Sequence, residues 1–358
     1  MGRRLLLRRW RVAACLLALA AVGLLLLLWP SRSWTERLQA IDAAYAIPEE
    51  ENAAKAYTEL AWGYWGPSVD VSLLQKSGVA PSLVKPWRSA DYLPAAKWLA
   101  DCRPVIDSLM DISRTPKCWF SLEEDGRTAH MRNLTARQWS SLLLMAANND
   151  LGDGRREAGL EKLVCQLRLA QHFRTQINPE ANYTGRTILA QALTRLDRLV
   201  MMEEVSSEWL TRFEAALPPA EGGWTGNDRQ AVTVGRLYEW QTQRSSIKRL
   251  TGILDRARDA RQRRQMDRWE VSLCRASRIL LAVRRYKNDT GTWPTSLQAI
   301  ESSIPPEALI DPLSGKRFAC RLTGNSLILD GLAPYGIYEF DPTTTPSSQE
   351  RAVDANSR

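Results

Sequence analysis

The residue types that most often carry catalysis or bind metals are sparse in this 358-residue sequence. It has two histidines, His130 and His172, and neither belongs to an H-E-x-x-H motif or lies near a cysteine pair, the arrangements typical of zinc sites. The six cysteines form no C-x-x-C pair, so a thioredoxin-type redox motif is not supported either. The sequence therefore predicts no metal and no cofactor.

Motifs for nucleophilic catalysis and phosphate binding are also lacking. No G-x-S-x-G elbow, G-x-x-x-x-G-K-[S/T] loop or G-x-G-x-x-G turn occurs in the sequence. The acidic run Glu123, Glu124 and Asp125 could supply acid/base chemistry, but the Asp-Gly pair that ends it is typical of a turn. We therefore expect a protein without catalytic activity, and we keep a hydrolase that uses scattered carboxylates as an alternative.

The cysteines and tryptophans allow two interpretations each. Cys102 and Cys118 are the nearest cysteine pair and could form a disulfide in an oxidising compartment, whereas buried free thiols are the alternative. The fourteen tryptophans are dispersed along the chain, which favours packing between helices over a carbohydrate-stacking face. In that case we expect their indole N–H groups to bond backbone carbonyls.

Positive charge is concentrated at the N-terminus of a chain whose formal net charge is +8. Five arginines lie within the first eleven residues: Arg3, Arg4, Arg8, Arg9 and Arg11. Removing these five from the 48 Lys and Arg leaves 43 against 40 Asp and Glu, so the rest of the chain is nearly balanced. A second basic concentration, Arg244 to Arg268, is typical of a solvated helix face. We expect no nucleic-acid partner, because no DNA- or RNA-binding motif accompanies it.

A long apolar run follows the arginines. Val12 to Trp29 is eighteen residues without a charge, which at ~1.5 Å per residue nearly matches a ~30 Å hydrocarbon core. We predict a transmembrane signal anchor at residues 12–29, with the lipid bilayer as its partner. A cleaved signal peptide is the alternative, but the sequence LLLWPSRSW offers no small-x-small cleavage site.

The charge difference across this run predicts its orientation. Five arginines precede it, whereas Arg32 and Glu36 follow it, so the positive-inside rule places residues 1–11 in the cytoplasm as a basic cap. The predicted location is the inner (cytoplasmic) membrane of a bacterium, crossed once, with the N-terminus cytoplasmic and the bulk of the chain periplasmic.

Residues 30–264 are predicted to form a mainly α-helical external domain. Pro94 is expected to open a helix that Pro104 kinks or splits. From Thr135 the pattern becomes clearly helical, and the turn Leu151 to Gly154 makes a helical hairpin. An apolar stripe on its second helix predicts a buried face: Leu160, Leu163, Val164, Leu167 and Ala170. The hairpin resembles one unit of a tetratricopeptide-type array, but an ordinary hairpin is the simpler interpretation because no second copy follows.

Residues 265–340 are predicted to form a small α+β module. An amphipathic helix ends at Asn-Asp-Thr-Gly, where Gly291 can take the positive φ that closes a helix, and Pro294 then opens a short helix. After turns at Asp311-Pro312 and Ser314-Gly315, the segments KRFACRL and NSLILDG alternate in hydropathy and predict a β-hairpin. The remaining residues, 341–358, are predicted to be a disordered polar tail.

The order of residues in this module resembles the C-terminal part of the major pseudopilins of type II secretion. In that family a helix precedes a G-x-Y-P-x-x-L turn and a D-P-W-G-x-x-Y hairpin. The matching positions are Tyr286, Gly291, Trp293, Pro294, Leu297, Asp311, Pro312, Gly315 and Phe318. The resemblance covers about fifty residues and implies a fold and an assembly role, without implying an activity.

Two features of the family are missing. The N-terminus lacks the prepilin peptidase signature, since Gly2 is followed by Arg3 and the apolar run contains no glutamate. The family's calcium loop is not recognisable either, because the matching region supplies only Asp330, Glu339 and Asp341.

The whole arrangement resembles the long, single-anchor proteins of unassigned role in planctomycete-type bacteria. Their early segment carries a P-x-E-N-A string similar to PEEENA at Pro48 to Ala53, and similar tails close them. The preferred hypothesis is a membrane-anchored, non-catalytic envelope protein that acts in binding or scaffolding, with an unknown protein partner. The alternatives are a secretion or pilus-like assembly subunit and the carboxylate-based envelope hydrolase.

Overall fold

A computed structural model describes residues 32–63, 83, 85–202, 205–219, 234, 246–323, 326–330 and 338–340. It describes the backbone alone for residues 32–35, 37, 202, 246–264, 320–323, 326–328, 330 and 338–340. The predicted mainly α fold is confirmed. The predicted anchor 12–29, the five arginines ahead of it and the tail 341–358 lie outside the described residues. Among the helices of the described ranges, none is long and apolar enough to cross a membrane.

The described α-helices pack into one body around a helical hairpin and a third helix. Their bounds are α1 Arg32–Tyr45, α2 Ala54–Gly63, α3 Leu93–Asp101, α4 Arg103–Ile112, α5 Gly126–Gly152, α6 Arg156–Arg174, α7 Pro179–Met202, α8 Ser207–Ala216 and α9 Ser246–Thr290. Short 3-10 turns lie at Glu49–Glu51, Ser89–Asp91, Leu297–Ala299, Glu301–Ser303 and Pro306–Leu309.

The predicted hairpin is formed by α5 and α6, and α7 packs against both. Gly154 takes φ +79° in the turn, a conformation that favours glycine. The predicted apolar stripe of α6 is confirmed, because all five of its members are buried. Burial of each leucine or valine contributes about 1.5–3 kcal/mol, so this stripe is a main reason why the hairpin closes. At Gly185 on α7 an added Cβ would lie 2.1 Å from the backbone nitrogen of Arg174, so α6 and α7 approach closely there.

The predicted start of the hairpin at Thr135 is wrong. Helix α5 begins at Gly126, because the carboxylate of Asp125 accepts hydrogen bonds from the backbone N–H groups of Arg127 and Thr128, each at 3.0 Å. Such an N-cap satisfies donors that a helix start leaves open. The Asp-Gly pair that predicted a turn is therefore a helix start.

Two proline predictions are confirmed. Pro94 occupies the first turn of α3, and Pro104 occupies the first turn of α4. The two helices are separated at Cys102, because a proline inside a continuous helix would remove a backbone donor and clash with the preceding turn. The pair packs over the α5–α6 hairpin.

Helix α9 runs from Ser246 to Thr290 and passes without a break through residue 264, the predicted end of the external helical domain. It ends at Gly291, whose φ of +77° confirms the predicted helix stop. Beyond the 3-10 turns come β1 Ala319–Thr323, β2 Ser326–Asp330 and β3 Tyr338–Phe340, antiparallel in the order β1-β2-β3. Residues after α9, among them Ile300, Leu309 and Phe318, belong to the same apolar core as α2 to α7.

Candidate functional site

The acidic run that could have supplied acid/base chemistry is structural. Glu124 pairs with the guanidinium of Arg132, which is 1% exposed and lies 3.6 Å from the centre of the Phe120 ring. Asp125 caps α5, and its hydrogen bonds to Thr128 hold the pKa of its carboxyl below the usual range. Glu123 is exposed. The three carboxyl groups therefore do not converge on one point.

The two histidines lie apart and make different contacts. His172 is buried, and its Nδ1 lies 3.0 Å from the hydroxyl of Tyr57. Burial lowers the pKa of His172 to about 4, against an opposing hydrogen bond with the backbone of Thr115. His130 is exposed and faces Glu180, with 3.0 Å between Nδ1 and Oε1. In the described part of the chain, no group of three or more His, Cys, Asp or Glu residues could hold a metal ion.

Asp311 is the most heavily bonded residue of the pseudopilin-like motif. Its buried carboxylate accepts a 2.6 Å hydrogen bond from the hydroxyl of Ser272 on α9 and bonds from the backbone N–H groups of Leu313 and Ser314 at 3.1 and 3.0 Å. Its own N–H donates to Lys316 O at 2.8 Å. The D-P-x-S-G loop is thus closed by its first residue and bound to α9.

The remaining motif positions belong to the last turns of α9 or to the segment that follows this helix. Gly315 takes φ +69° in the loop, as its position in a turn requires. Phe318 is buried, and its N–H donates to Leu309 O at 2.9 Å. The indole of Trp293 lies 5.5 Å from the Arg284 guanidinium. The other members of the motif are buried or half-buried: Tyr286, Pro294, Leu297 and Pro312.

The PEEENA string contributes a structural residue that sequence reasoning missed. Asn52 donates from Nδ2 to Trp119 O at 3.1 Å and accepts from Trp119 N at 2.9 Å. On the other side of the same segment, Gln176 accepts from Phe120 N at 2.9 Å and donates to Cys118 O at 2.8 Å. The two amide side chains therefore satisfy backbone N–H and C=O groups of residues 118–120, as neighbouring β-strands would in a sheet.

The segment that these amides hold also binds α1. Asp42 accepts hydrogen bonds from Trp119 Nε1 at 2.7 Å, from Ser121 Oγ at 2.6 Å and from Leu122 N at 3.1 Å. The indole of Trp209 likewise donates to the carboxylate of Glu157, at 2.9 Å for the nearer oxygen. These two indoles bond carboxylates, so the expectation of backbone carbonyl partners is wrong for both.

The described cysteines play a packing role. Cys102, Cys118, Cys165 and Cys274 are all buried, and no disulfide joins Cys102 to Cys118. Burial raises the pKa of the Cys165 thiol to about 11 and that of Cys274 to about 12. A thiol with so high a pKa is a poor nucleophile at neutral pH, because only the thiolate reacts efficiently.

Two exposed aromatic side chains of neighbouring helices each lie beside an arginine of α5, and we call these residues, with an exposed leucine of α5, the aromatic–arginine face. Its members are Trp62, Arg127, Leu134, Arg137 and Tyr183. The side chains of Trp62, Leu134 and Tyr183 are 42%, 43% and 50% exposed. Arg127 lies 5.7 Å from the ring of Trp62, and Arg137 lies 5.7 Å from the ring of Tyr183. Trp, Tyr and Arg are the residues that most often dominate binding energy at protein interfaces.

An open groove of about 420 Å³ lies between α4 and α6. Ile106 and Met110 supply apolar lining, and the charged lining groups already have partners. Asp111 pairs with Arg114 at 2.9 Å, and Lys162 pairs with Asp150 at 2.5 Å. Because the two charges within each pair neutralise each other, the groove offers little unpaired charge to a ligand.

Comparisons with known proteins identify no relative. No protein-family model, no curated protein and no solved structure matches this chain.

Proposed function

We propose that the protein is a single-pass, membrane-anchored envelope protein whose helical external body binds or scaffolds a protein partner. The apolar run 12–29 with its five preceding arginines supports the anchor and its orientation in a bacterial inner membrane. The lipid bilayer is then one partner, and a second protein is the other.

The observation that carries the binding role is the aromatic–arginine face. Monomeric proteins expose single apolar residues routinely, but here two arginines of α5 each lie 5.7 Å from an aromatic ring of a neighbouring helix, and an exposed leucine lies between them along α5. A contact with a ring restricts the arginine side chain before a partner binds, which lowers the entropy lost on binding. A protein partner fits this chemistry, because such residues contribute both apolar area and charge-assisted hydrogen bonds.

The C-terminal residues 265–340 are proposed to act as an α+β module that is attached to the body. The contact between Asp311 and Ser272 and the buried Phe318 support this attachment, because both link the loop to α9 or the core. The resemblance to major pseudopilins keeps assembly through this module as the second candidate role.

Site-specific cross-linking in membranes tests the binding role. A photo-reactive side chain placed at Leu134 should give a discrete cross-linked protein species, which the additional change Tyr183→Ala should abolish. The matched control is the same probe at Leu93, which is 69% exposed but lies outside the aromatic–arginine face. Equal cross-linking from both positions, or none from Leu134, would exclude this face as the partner surface.

Surface substitutions distinguish the second candidate. If the module mediates assembly, Gln298→Arg combined with Lys316→Glu, both at exposed positions of the module, should reduce the size of membrane complexes on native gels while cross-linking from Leu134 persists. If the aromatic–arginine face carries the interaction, the Tyr183→Ala variant should reduce complex size instead.

A further inference from the structure

A carboxyl group is enclosed in the interface between α7 and α9. Asp197 on α7 is 1% exposed, and no hydrogen bond of normal geometry reaches either of its oxygens. A buried polar group without such bonds is costly, and a buried carboxylate without a counter-charge costs considerably more. The interface therefore favours the neutral, protonated form of this side chain.

The groups of α9 that face Asp197 are weakly polar. The buried hydroxyl of Ser277 acts on the carboxyl without forming a hydrogen bond of good geometry. Cys274, one turn away, is 3% exposed, and the nearby charges of Glu270 and Asp197 add to the effect of burial in raising its thiol pKa. Neither side chain supplies a cation.

The arginines that neighbour Cys274 pair with groups other than Asp197. Arg174 on α6 pairs with Glu270 on α9. Arg278 on α9 lies 3.6 Å from Glu214 of α8 and donates to Pro218 O at 2.6 Å. These groups act on Cys274 but do not offset the burial of Asp197, so ionisation of the carboxyl would leave an uncompensated charge.

Arg195 on α7, two residues before Asp197, forms a hydrogen bond with a residue of α5 instead. It donates from Nε to Asn148 Oδ1 on α5 at 2.7 Å, so this arginine is also committed to another contact.

We propose that the buried carboxyl of Asp197 is a proton-dependent latch, which lets α9 pack against α7 while it is protonated and loosens that packing when it ionises. The proposal does not depend on the membrane anchor or on a binding partner. Its consequence reaches the C-terminal region, because α9 carries Ser272, the residue to which the Asp311 loop is bound.

The direction of the pH dependence follows from the burial of the carboxyl. Burial raises the pKa of Asp197 to about 7, against an ordinary value of 3.8, and the Ser277 hydroxyl opposes the rise. Between pH 3.8 and about pH 7 the carboxyl of Asp197 is therefore protonated in the closed interface and ionised once the interface opens. The opening equilibrium should rise about tenfold per pH unit from about pH 4 to about pH 7, and should then level off.

Hydrogen–deuterium exchange of the full-length protein in detergent tests the latch. The exchange rate of a peptide from residues 270–284 is compared with the same peptide in D197N at each pH, so that the intrinsic pH dependence of exchange cancels. We expect the ratio of wild type to variant to rise about 50-fold between pH 5 and pH 7. D197L, which also cannot ionise but packs as an apolar side chain, should give the same ratio as D197N.

Two further measurements make the test decisive. The variant S277A removes the group that lowers the carboxyl pKa, so its rise should extend to higher pH than in wild type. A peptide from residues 140–147 of α5 serves as an internal reference and should keep a constant ratio. An unchanged pH profile in D197N and D197L would overturn the latch, as would an equal rise in the reference peptide, which would mean opening of the whole body.

Discussion

The hydroxyl of Ser272 on α9 donates a 2.6 Å hydrogen bond to the buried carboxylate of Asp311, 39 positions later in the chain, and so joins the longest helix of the described structure to the D-P-x-S-G loop. The same carboxylate closes the loop on itself through two backbone N–H groups. One residue therefore stabilises both the local turn and its attachment to the body.

This relationship predicts the effect of removing the hydroxyl. Ser272→Ala leaves the Asp311 carboxylate with one donor fewer in a buried position, so it should reduce the free energy of unfolding by about 1–3 kcal/mol. Chemical denaturation measures the change. Thr295→Ala, at an exposed position of the next segment, is the control and should lie within about 0.5 kcal/mol of wild type. Equal effects of the two substitutions would mean that the contact contributes nothing.

The amide of Asn52 gives a second prediction. Asn52→Ala removes the two bonds to the Trp119 backbone and a third to Ala54 N, so we expect a loss of about 2–3 kcal/mol. Asn52→Asp keeps the acceptor and loses the donor, and it should cost less than alanine. Denaturation of both variants, with the exposed Glu50→Ala as the control, measures the difference. A loss as small as that of the control would show that Asn52 does not hold this segment.

The buried imidazole of His172 predicts a stability change in acid. Its folded-state pKa of about 4 lies below the ordinary value of 6.5, so the folded state disfavours its charged form. Stability from this group is present above pH 6.5 and is lost as pH falls towards 4, by about 1.4 kcal/mol per pH unit. The difference in unfolding free energy between wild type and His172→Asn, measured by urea denaturation from pH 4 to pH 7, should show this slope.

A matched variant separates the titration from the hydrogen bond. Tyr57→Phe removes the partner of Nδ1 but leaves the imidazole buried, so the difference in unfolding free energy between Tyr57→Phe and His172→Asn should keep the same pH slope. Asp197 acts with the opposite sign over nearly the same range, so the slope of His172 is read from these differences and not from wild type alone. A difference between wild type and His172→Asn that stays constant from pH 4 to pH 7 would assign the acid sensitivity to other groups.

The close approach of α6 and α7 at Gly185 gives a fourth prediction. Gly185→Ala places a Cβ within 2.1 Å of Arg174 N, so the helices must separate and the protein should lose about 3 kcal/mol or more. Gly63→Ala, where nothing lies within 4 Å of the new Cβ, should be neutral or stabilising by up to about 1 kcal/mol. Thermal denaturation of the two variants compares them directly, and similar midpoints would contradict the packing described.

Local patterns predicted much of the helical structure correctly. The stripe from Leu160 to Ala170, the split at Pro104 and the stop at Gly291 are determined by neighbours within a few residues, so they can be recognised in the sequence. Asp125 shows where such patterns are ambiguous. An Asp-Gly pair suits a turn and a helix N-cap equally well, and only the helix that follows decides between them.

Long-range contacts could not be predicted. Asn52 and Trp119 are 67 positions apart, and an asparagine in a polar string gives no sign of its partner. Asp197 lies in an ordinary helical pattern, and its enclosure depends on how α9 packs against α7. The aromatic–arginine face could have been suspected only from the placement of Leu134, Tyr183 and the arginines on neighbouring helix surfaces.

A topology assay shows directly whether the body is held outside the cytoplasm by a single N-terminal span. Membranes are extracted with alkaline carbonate, and intact spheroplasts carrying an epitope ahead of Arg3 are treated with protease. We expect the protein to stay in the membrane pellet and the body to be digested while the epitope survives. Release of the protein by carbonate, or protection of the body from the protease, would contradict this topology.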